Sequence, residues 1–278
     1  MKQNKRVRRL AAAVLLAAGV GWFENCTIQT EYLTASSPAL PEGFAGFRIA
    51  LIADLHGASF SGDNAELCAL VRGMRPDIIA ICGDLADKRT DVQALGPFLE
   101  ELSAAAPCFY VTGNHEWVMK KEDRQALFSL LEACGIERLE NEYRVLERGG
   151  DRIILAGADD PNGPLEQKTP AELVRQIRQA EGEDSYILML SHRNEMTPWC
   201  ALSVQTVLCG HAHGSVVRLP GIGALYDKHD GWLPPYTAGI CRQEDTTLVV
   251  SRGLGTIGGL PLRLCNRPHL PLVTLQKE

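Results

Sequence analysis

The chain has no CxxC pair, no internal repeat and no low-complexity tract. Nine cysteines stand among its 278 residues, but without paired spacing they offer neither a thiolate zinc site nor a disulfide framework. Cys82 and Cys209 lie inside apolar runs, where a thiol packs as a small hydrophobe, so buried free thiols are expected. The chain also lacks a full-length membrane span. Its longest apolar opening is Leu10–Phe23, against the ~20 residues that a bilayer crossing takes. Histidine is scarce, at seven residues, so where each one stands is informative.

Charge is short on the basic side once the start is set apart. The first ten residues hold Lys2, Lys5, Arg6, Arg8 and Arg9 and no acid. The rest carries 23 basic and 34 acidic residues, a net charge of −11. Such a body is a poor general binder of nucleic acid backbone, and no specific nucleic acid partner is expected.

The basic start followed by an apolar run suits a signal peptide or a short membrane anchor over residues 1–23. Basic charge before the run puts the start in the cytoplasm and the body beyond the membrane. This reading favours a retained anchor over cleavage and secretion. Residues 24–46 are polar and turn-rich, a linker with room for one edge strand. Residues 47–278 form the expected catalytic domain.

That domain begins with alternating elements. Phe47–Ala53, Asp77–Cys82 and Cys108–Thr112 read as buried strands, and Asp63–Met74, Val92–Ala105 and Arg124–Cys134 as helices, with Asp63 a cap. The β-α-β-α order implies a parallel sheet covered by helices, an α/β fold. Gly149-Gly150 then marks a hairpin, Ala171–Ala180 a helix, and several later strands a second sheet.

Five short motifs carry the chemistry: Asp54-Leu55-His56, Gly83-Asp84, Gly113-Asn114-His115-Glu116, Ser191-His192 and Gly210-His211-Ala212-His213. They hold five of the seven histidines, and most follow an apolar run. Imidazole and carboxylate are common ligands of zinc, manganese and iron, and loops gather where strands end. Asp54 and His56 are expected to alternate on a strand end and share one face. Taken singly, each motif suits a turn or a satisfied core histidine. His229 and His269 are expected in surface or turn positions, and Trp199, Trp232 and Tyr236 in core or loop packing.

In this order the motifs resemble the calcineurin-like metallophosphoesterase superfamily, over about residues 47–276. The resemblance implies a two-sheet αββα sandwich. It implies that Asp54, His56 and His213 hold one metal, that Asn114, His192 and His211 hold a second, and that Asp84 bridges them. His115 would act on substrate as general acid or transition-state stabiliser. Two divalent ions (manganese, iron or zinc) would serve hydrolysis of a phosphodiester or pyrophosphate.

The membrane-anchored bacterial branch is the more similar one, and it suggests a lipid-linked phosphoester. Phosphoprotein phosphatases carry G-D-x-V-D-R-G, where this chain has Gly83-Asp84-Leu85-Ala86-Asp87-Lys88-Arg89. Lys88 cannot give arginine's bidentate clamp, which weighs against a phosphomonoesterase or phosphoprotein phosphatase. The remaining alternative is a non-catalytic scaffold, for which His115 would have no use.

Overall fold

The computed structural model describes residues 19–215, 217–219, 221–227, 231–256 and 263–278. Two six-stranded sheets lie face to face. In order across it, the first contains Gln29–Ser37, His269–Lys277, Arg48–Ile52, Ile78–Cys82, Cys108–Val111 and Glu137–Arg138. The second runs Gly239–Gln243, Thr246–Val250, Thr206–Cys209, Ile187–Ser191, Asp151–Ala158 and Tyr143–Arg148. Both are mixed, with a parallel centre: Arg48–Ile52, Ile78–Cys82 and Cys108–Val111 run one way, and so do Asp151–Ala158, Ile187–Ser191 and Thr206–Cys209.

Three apolar layers hold this together. Ile49, Leu51, Ala80 and Val111 meet Leu155, Leu188, Leu208 and Val249 between the sheets. The outer face of the first sheet packs on helices Ala65–Met74, Gly96–Ala105 and Lys121–Ala133 through Leu67, Val71, Leu99 and Leu127. The outer face of the second packs on Pro170–Glu181 and Thr197–Ala201 through Leu173, Ile177 and Trp199. The result is an αββα sandwich. Central strands buried on both faces explain why Ile78–Cys82 and Ile187–Ser191 read as continuous apolar runs.

Local chemistry sets the element ends. Gly149 and Gly150 take φ of 62° and 87°, which lets them turn the antiparallel hairpin of Tyr143–Arg148 with Asp151–Ala158. Thr169 and Glu172 form a reciprocal capping box at the start of Pro170–Glu181. Asp63 is not a cap: the helix starts at Ala65 after Asn64, whose side-chain oxygen accepts the Phe60 amide instead. Gly96-Pro97 marks a boundary, with a 3-10 turn Gln93–Leu95 before the helix Gly96–Ala105.

Within the stretch expected as a linker, Gln29–Ser37 is a nine-residue edge strand, parallel to His269–Lys277. Residues 29–37 and 269–277 are thereby neighbours in one sheet. The nine cysteines are all free thiols, four of them buried, among them Cys82 and Cys209.

The expected placement at a membrane, with the body beyond it, is corrected. Among the described residues no helix is long and apolar enough to cross a membrane. The helical residues 19–26 carry Glu24 and Asn25, and both are spent on polar contacts with the body. Glu24 accepts the Asn266 amide at 3.0 Å, and Asn25 accepts the Arg263 amide at 2.6 Å. The basic head and the first part of the apolar run, residues 1–18, lie outside the described residues, as does His229.

Candidate metal centre

All eight residues singled out from the sequence converge at the C-terminal ends of the central parallel strands. Asp54 follows Arg48–Ile52, Asp84 follows Ile78–Cys82, Asn114 and His115 follow Cys108–Val111, His192 follows Ile187–Ser191, and His211 and His213 follow Thr206–Cys209. Loops at this end of an open α/β sheet are where ligands gather.

The expected alternation of Asp54 and His56 on a strand end is not how they meet. Both have left-handed backbone, with φ of 51° and 49°, and so do Asp84, His211 and His213 at 50°, 68° and 49°. Such conformations cost roughly 1–2 kcal/mol each for a residue with a Cβ. Hydrogen bonds between the loops hold them: His56 N donates to Asp84 O at 2.9 Å, and His211 N donates to the Asp54 carboxylate at 3.0 Å. Glycines permit the close approach. A Cβ on Gly113 would lie 2.2 Å from Asp84 Oδ1, and one on Gly210 would lie 2.5 Å from Asp54 Oδ2.

Two groups of ligand atoms result. In the first, one ligand atom from each of Asp54, His56, Asp84 and His213 lies within 4.8 Å of the others. His56 Nε2 is 3.1 Å from His213 Nε2 and 3.6 Å from Asp84 Oδ2, and His213 Nε2 is 3.7 Å from Asp54 Oδ1. In the second, His192 Nε2 is 3.0 Å from both Asn114 Oδ1 and His211 Nδ1, and 3.3 Å from Asp84 Oδ2. Asp84 Oδ2 thus belongs to both groups. His115 lies outside these two, and one ligand atom from each of His115, His56 and Asp87 also lies within 4.8 Å of the others. The His115 ring meets His56 edge-on, with centroids 4.6 Å apart, and its amide donates to Asp84 Oδ1 at 2.8 Å.

The electrostatics are those of a site built for cations. Burial pushes the Asp54 carboxyl up to about 7 and drives His56 down to about 4. Burial also holds His213 well below the ordinary histidine range. Burial would lower His192 as well, but the Asp84 charge and hydrogen bond and the Asp54 charge raise it to about 10. Burial likewise opposes ionisation of Asp84. The charges of His192, His56 and His115 outweigh that and keep its carboxyl well below the usual range.

Further residues support the site without standing in the ligand set. Glu116 is fully buried and accepts the amides of Gly113, Asp84, Leu85 and Ala86 at 2.7–3.3 Å. Arg193, next to His192, pairs with Asp160 through two bonds of 2.8 and 3.1 Å. Buried Arg263 donates to the carbonyls of Arg252, Gly255 and Asn266, and Asn266 donates to those of His213 and Ser215. The spacing of Gly113 and Glu116 was the one visible signal for this layer. The two arginines gave none.

His269 is no surface residue. It is fully buried at the start of the last strand, where Nδ1 accepts the Arg252 amide at 3.1 Å and Nε2 donates to Glu31 at 2.8 Å. Trp199 is buried in the outer core as expected, whereas Trp232 is 77% exposed.

Comparison with known proteins gives the family. Residues 47–215, more than half of the chain, match the model of the calcineurin-like phosphoesterase family. The metallophosphoesterase YkuE of Bacillus subtilis is 28% identical over 96% of this chain and 93% of its own length. Phosphodiesterase YaeI of Escherichia coli is 27% identical, over 99% of each chain. Among solved structures, a dimetal phosphatase from Danio rerio superposes with a TM-score of 0.46 at 14% identity, covering 75% of this chain and 88% of that one. The chain belongs to the calcineurin-like phosphoesterase family and is a metal-dependent phosphoester hydrolase.

Proposed function

We propose that the chain hydrolyses phosphodiester or pyrophosphate bonds at a two-metal centre assembled around Asp84. The carrying observation is that Asp84 Oδ2 faces both groups of ligand atoms. Asp54, His56 and His213 would hold one ion, Asn114, His192 and His211 the other, and Asp84 both. The donor set fits. His192 Nδ1 donates to the Cys82 carbonyl at 3.0 Å, which leaves Nε2 as the ligand atom aimed into the second group. His213 Nδ1 is buried without a hydrogen bond in this structure, as suits a ring whose orientation a metal fixes. Nitrogen, carboxylate and amide donors without thiolate suit manganese, iron or zinc.

Two bound divalent ions supply the charge that clamps a phosphoryl group and lowers the pKa of water toward neutrality. The chain's own residues do the rest. Asp84 would offset repulsion between the ions, and it is held by the His115 and Glu116 contacts. The His115 ring stands beside His56, at the open side of the centre, where it can give a proton to the departing oxygen. The name of the YaeI relative favours a phosphodiester substrate. A lipid-linked substrate was suggested by the anchor, and it loses that support with the corrected placement.

The test is hydrolysis of bis(p-nitrophenyl) phosphate by chain reconstituted with manganese, iron or zinc. Turnover with at least one ion is the expected result. No turnover with any of them, in protein shown to carry two ions, would favour a scaffold.

A further inference from the structure

His213 reaches the first group of ligand atoms from a strained stretch of backbone. His213, Gly214 and Ser215 have φ of 49°, 66° and 69°, three successive residues in the left-handed region. L-residues visit that region singly and do not continue in it, because Cβ crowds the following carbonyl oxygen. Such a run needs a hold from outside, and side chains from elsewhere take up all three of its carbonyls. Asn266 Nδ2 donates to His213 O at 2.8 Å and to Ser215 O at 2.6 Å, and Arg218 donates to Gly214 O at 3.0 Å. Asn266 thus spans the run from its first carbonyl to its last.

Asn266 is itself fixed. It is buried, its backbone N–H donates to Glu24 Oε2 at 3.0 Å, and its carbonyl accepts from Arg263 at 3.2 Å. It packs directly on the run: a Cβ on Gly214 would lie 2.6 Å from Asn266 Oδ1. That oxygen has no hydrogen bond among the described residues, so Nδ2 does the polar work of the side chain. The run presents His213 Nε2, which is 3.1 Å from His56 Nε2 and 3.7 Å from Asp54 Oδ1. It carries no ligand atom of the second group. His211 precedes the run, and its amide is held separately by the Asp54 carboxylate.

We propose that Asn266 is a positioning residue for the metal centre: its Nδ2 group clamps the 213–215 turn and so sets how tightly the ion of Asp54, His56 and His213 is held, leaving the other ion's affinity unchanged. The inference rests on the metal-centre reading above. Without the two donors the run relaxes toward ordinary backbone, and His213 Nε2 leaves the place where it can share an ion with His56 and Asp54. An imidazole ligand must be held in direction as well as in place, and residues that orient a ligand without touching the ion are commonly worth about 10–100-fold in metal affinity. Two ions act together on one phosphoryl group, so activity falls with the first ion and returns when more metal is supplied. A residue that merely kept the fold would affect both ions alike.

The experiment compares the full chain with its Asn266→Ala, Asn266→Leu and Arg267→Ala variants, each checked for fold by circular dichroism. Leucine keeps the volume of asparagine without its donors, so it carries the test if the alanine variant does not fold. Arg267 is the next residue, but its side chain holds Thr27 and Ile28 rather than the metal loop. Manganese titration by calorimetry gives the two affinities, and electron paramagnetic resonance reports whether two ions are close enough to couple. In the Asn266 variants one affinity is expected within about twofold of the parent and the other at least about tenfold weaker. At a manganese concentration that saturates the parent, they should give the spectrum of an isolated ion where the parent gives a coupled pair. Their kcat on bis(p-nitrophenyl) phosphate should return as manganese is raised, and Arg267→Ala should keep both affinities. Two parent affinities in the Asn266 variants would overturn the clamp, as would equal weakening of both ions or an effect as large in Arg267→Ala. Each of those results leaves the metal-centre reading standing. A parent that binds fewer than two ions of manganese, iron or zinc would remove that reading and the clamp with it.

Discussion

The Glu116 carboxylate accepts the Asp84 amide at 3.0 Å, so an acid outside the ligand set holds the residue at the centre of it. The same carboxylate ties the Gly113 amide at 2.8 Å and the Leu85 amide at 2.7 Å. Two loops from neighbouring strands are thus fixed to one buried anion. Burial and the Asp84 charge push its carboxyl up to about 7, and the amides of Gly113 and Ala86 work against that shift. The four amide partners are all donors, so the anion is the form this pocket serves.

Glu116→Gln should therefore be more disruptive than its size suggests. The amide would present an N–H₂ group to backbone N–H donors and leave at least one buried amide unpaired. Hydrogen bonds to charged groups are worth about 1.5–3 kcal/mol each, so a loss on the order of 2–3 kcal/mol is expected. Urea unfolding of metal-free protein measures it, and metal titration should show weaker binding. Unchanged stability would mean that the four amides do not depend on the charge.

His115→Ala should keep both metals and lose most activity. The ring stands outside both ligand groups, and general acid catalysis contributes about two to four orders of magnitude in rate. Elemental analysis of the purified variant, beside its kcat, decides the point. Loss of one metal per chain would make His115 a ligand.

Asp84→Asn should weaken metal binding more than Asp54→Asn. Asp84 Oδ2 lies 3.3 Å from His192 Nε2 and 3.6 Å from His56 Nε2, one in each ligand group. Removing its charge affects both ions, whereas Asp54→Asn affects chiefly one. Parallel titrations with manganese or zinc are the measurement. Two metals retained in the Asp84 variant with parent affinity would show that it does not bridge.

Which parts of this were legible in the sequence follows from what each signal encodes. Ile78–Cys82 and Cys108–Val111 announced themselves because strands buried on both faces are apolar throughout. The motif residues were legible because scarce histidines stood at strand ends. Their geometry was not: Asp54 and His56 converge through left-handed backbone rather than alternation, and no residue type signals that for histidine. Arg263 and Arg193 were invisible because each works through distant partners, Gly255 and Asp160. The apolar run before Glu24 suggested a membrane role because composition cannot show that Glu24 and Asn25 bind Asn266 and Arg263. His269 stands next to Pro268, and sequence alone does not show that the last strand begins at His269 and buries it.

His269 supplies the last prediction, a stability that falls in mild acid. Burial lowers its pKa from the ordinary 6.5 to about 4, against the Glu31 hydrogen bond, while the charges of Arg252 and Arg263 add to the lowering. The neutral ring is therefore the folded form, with Nδ1 accepting from Arg252 and Nε2 donating to Glu31. Above pH 6.5 neither the folded nor the unfolded state protonates it, and its contribution is intact. Between pH 6.5 and 4 the unfolded chain takes up the proton first, so stability drains away as pH falls, by at most about 3 kcal/mol. Glu31 acts at lower pH: its carboxyl is held at about 2, first by the His269 hydrogen bond, and its contribution fades only below the ordinary carboxylate range. His269→Gln should be less stable at neutral pH but should lose less between pH 7 and 5 than the parent does. Urea midpoints of metal-free parent and variant at the two pH values give that difference directly. A parent and variant that lose the same amount would mean that His269 does not titrate in this window.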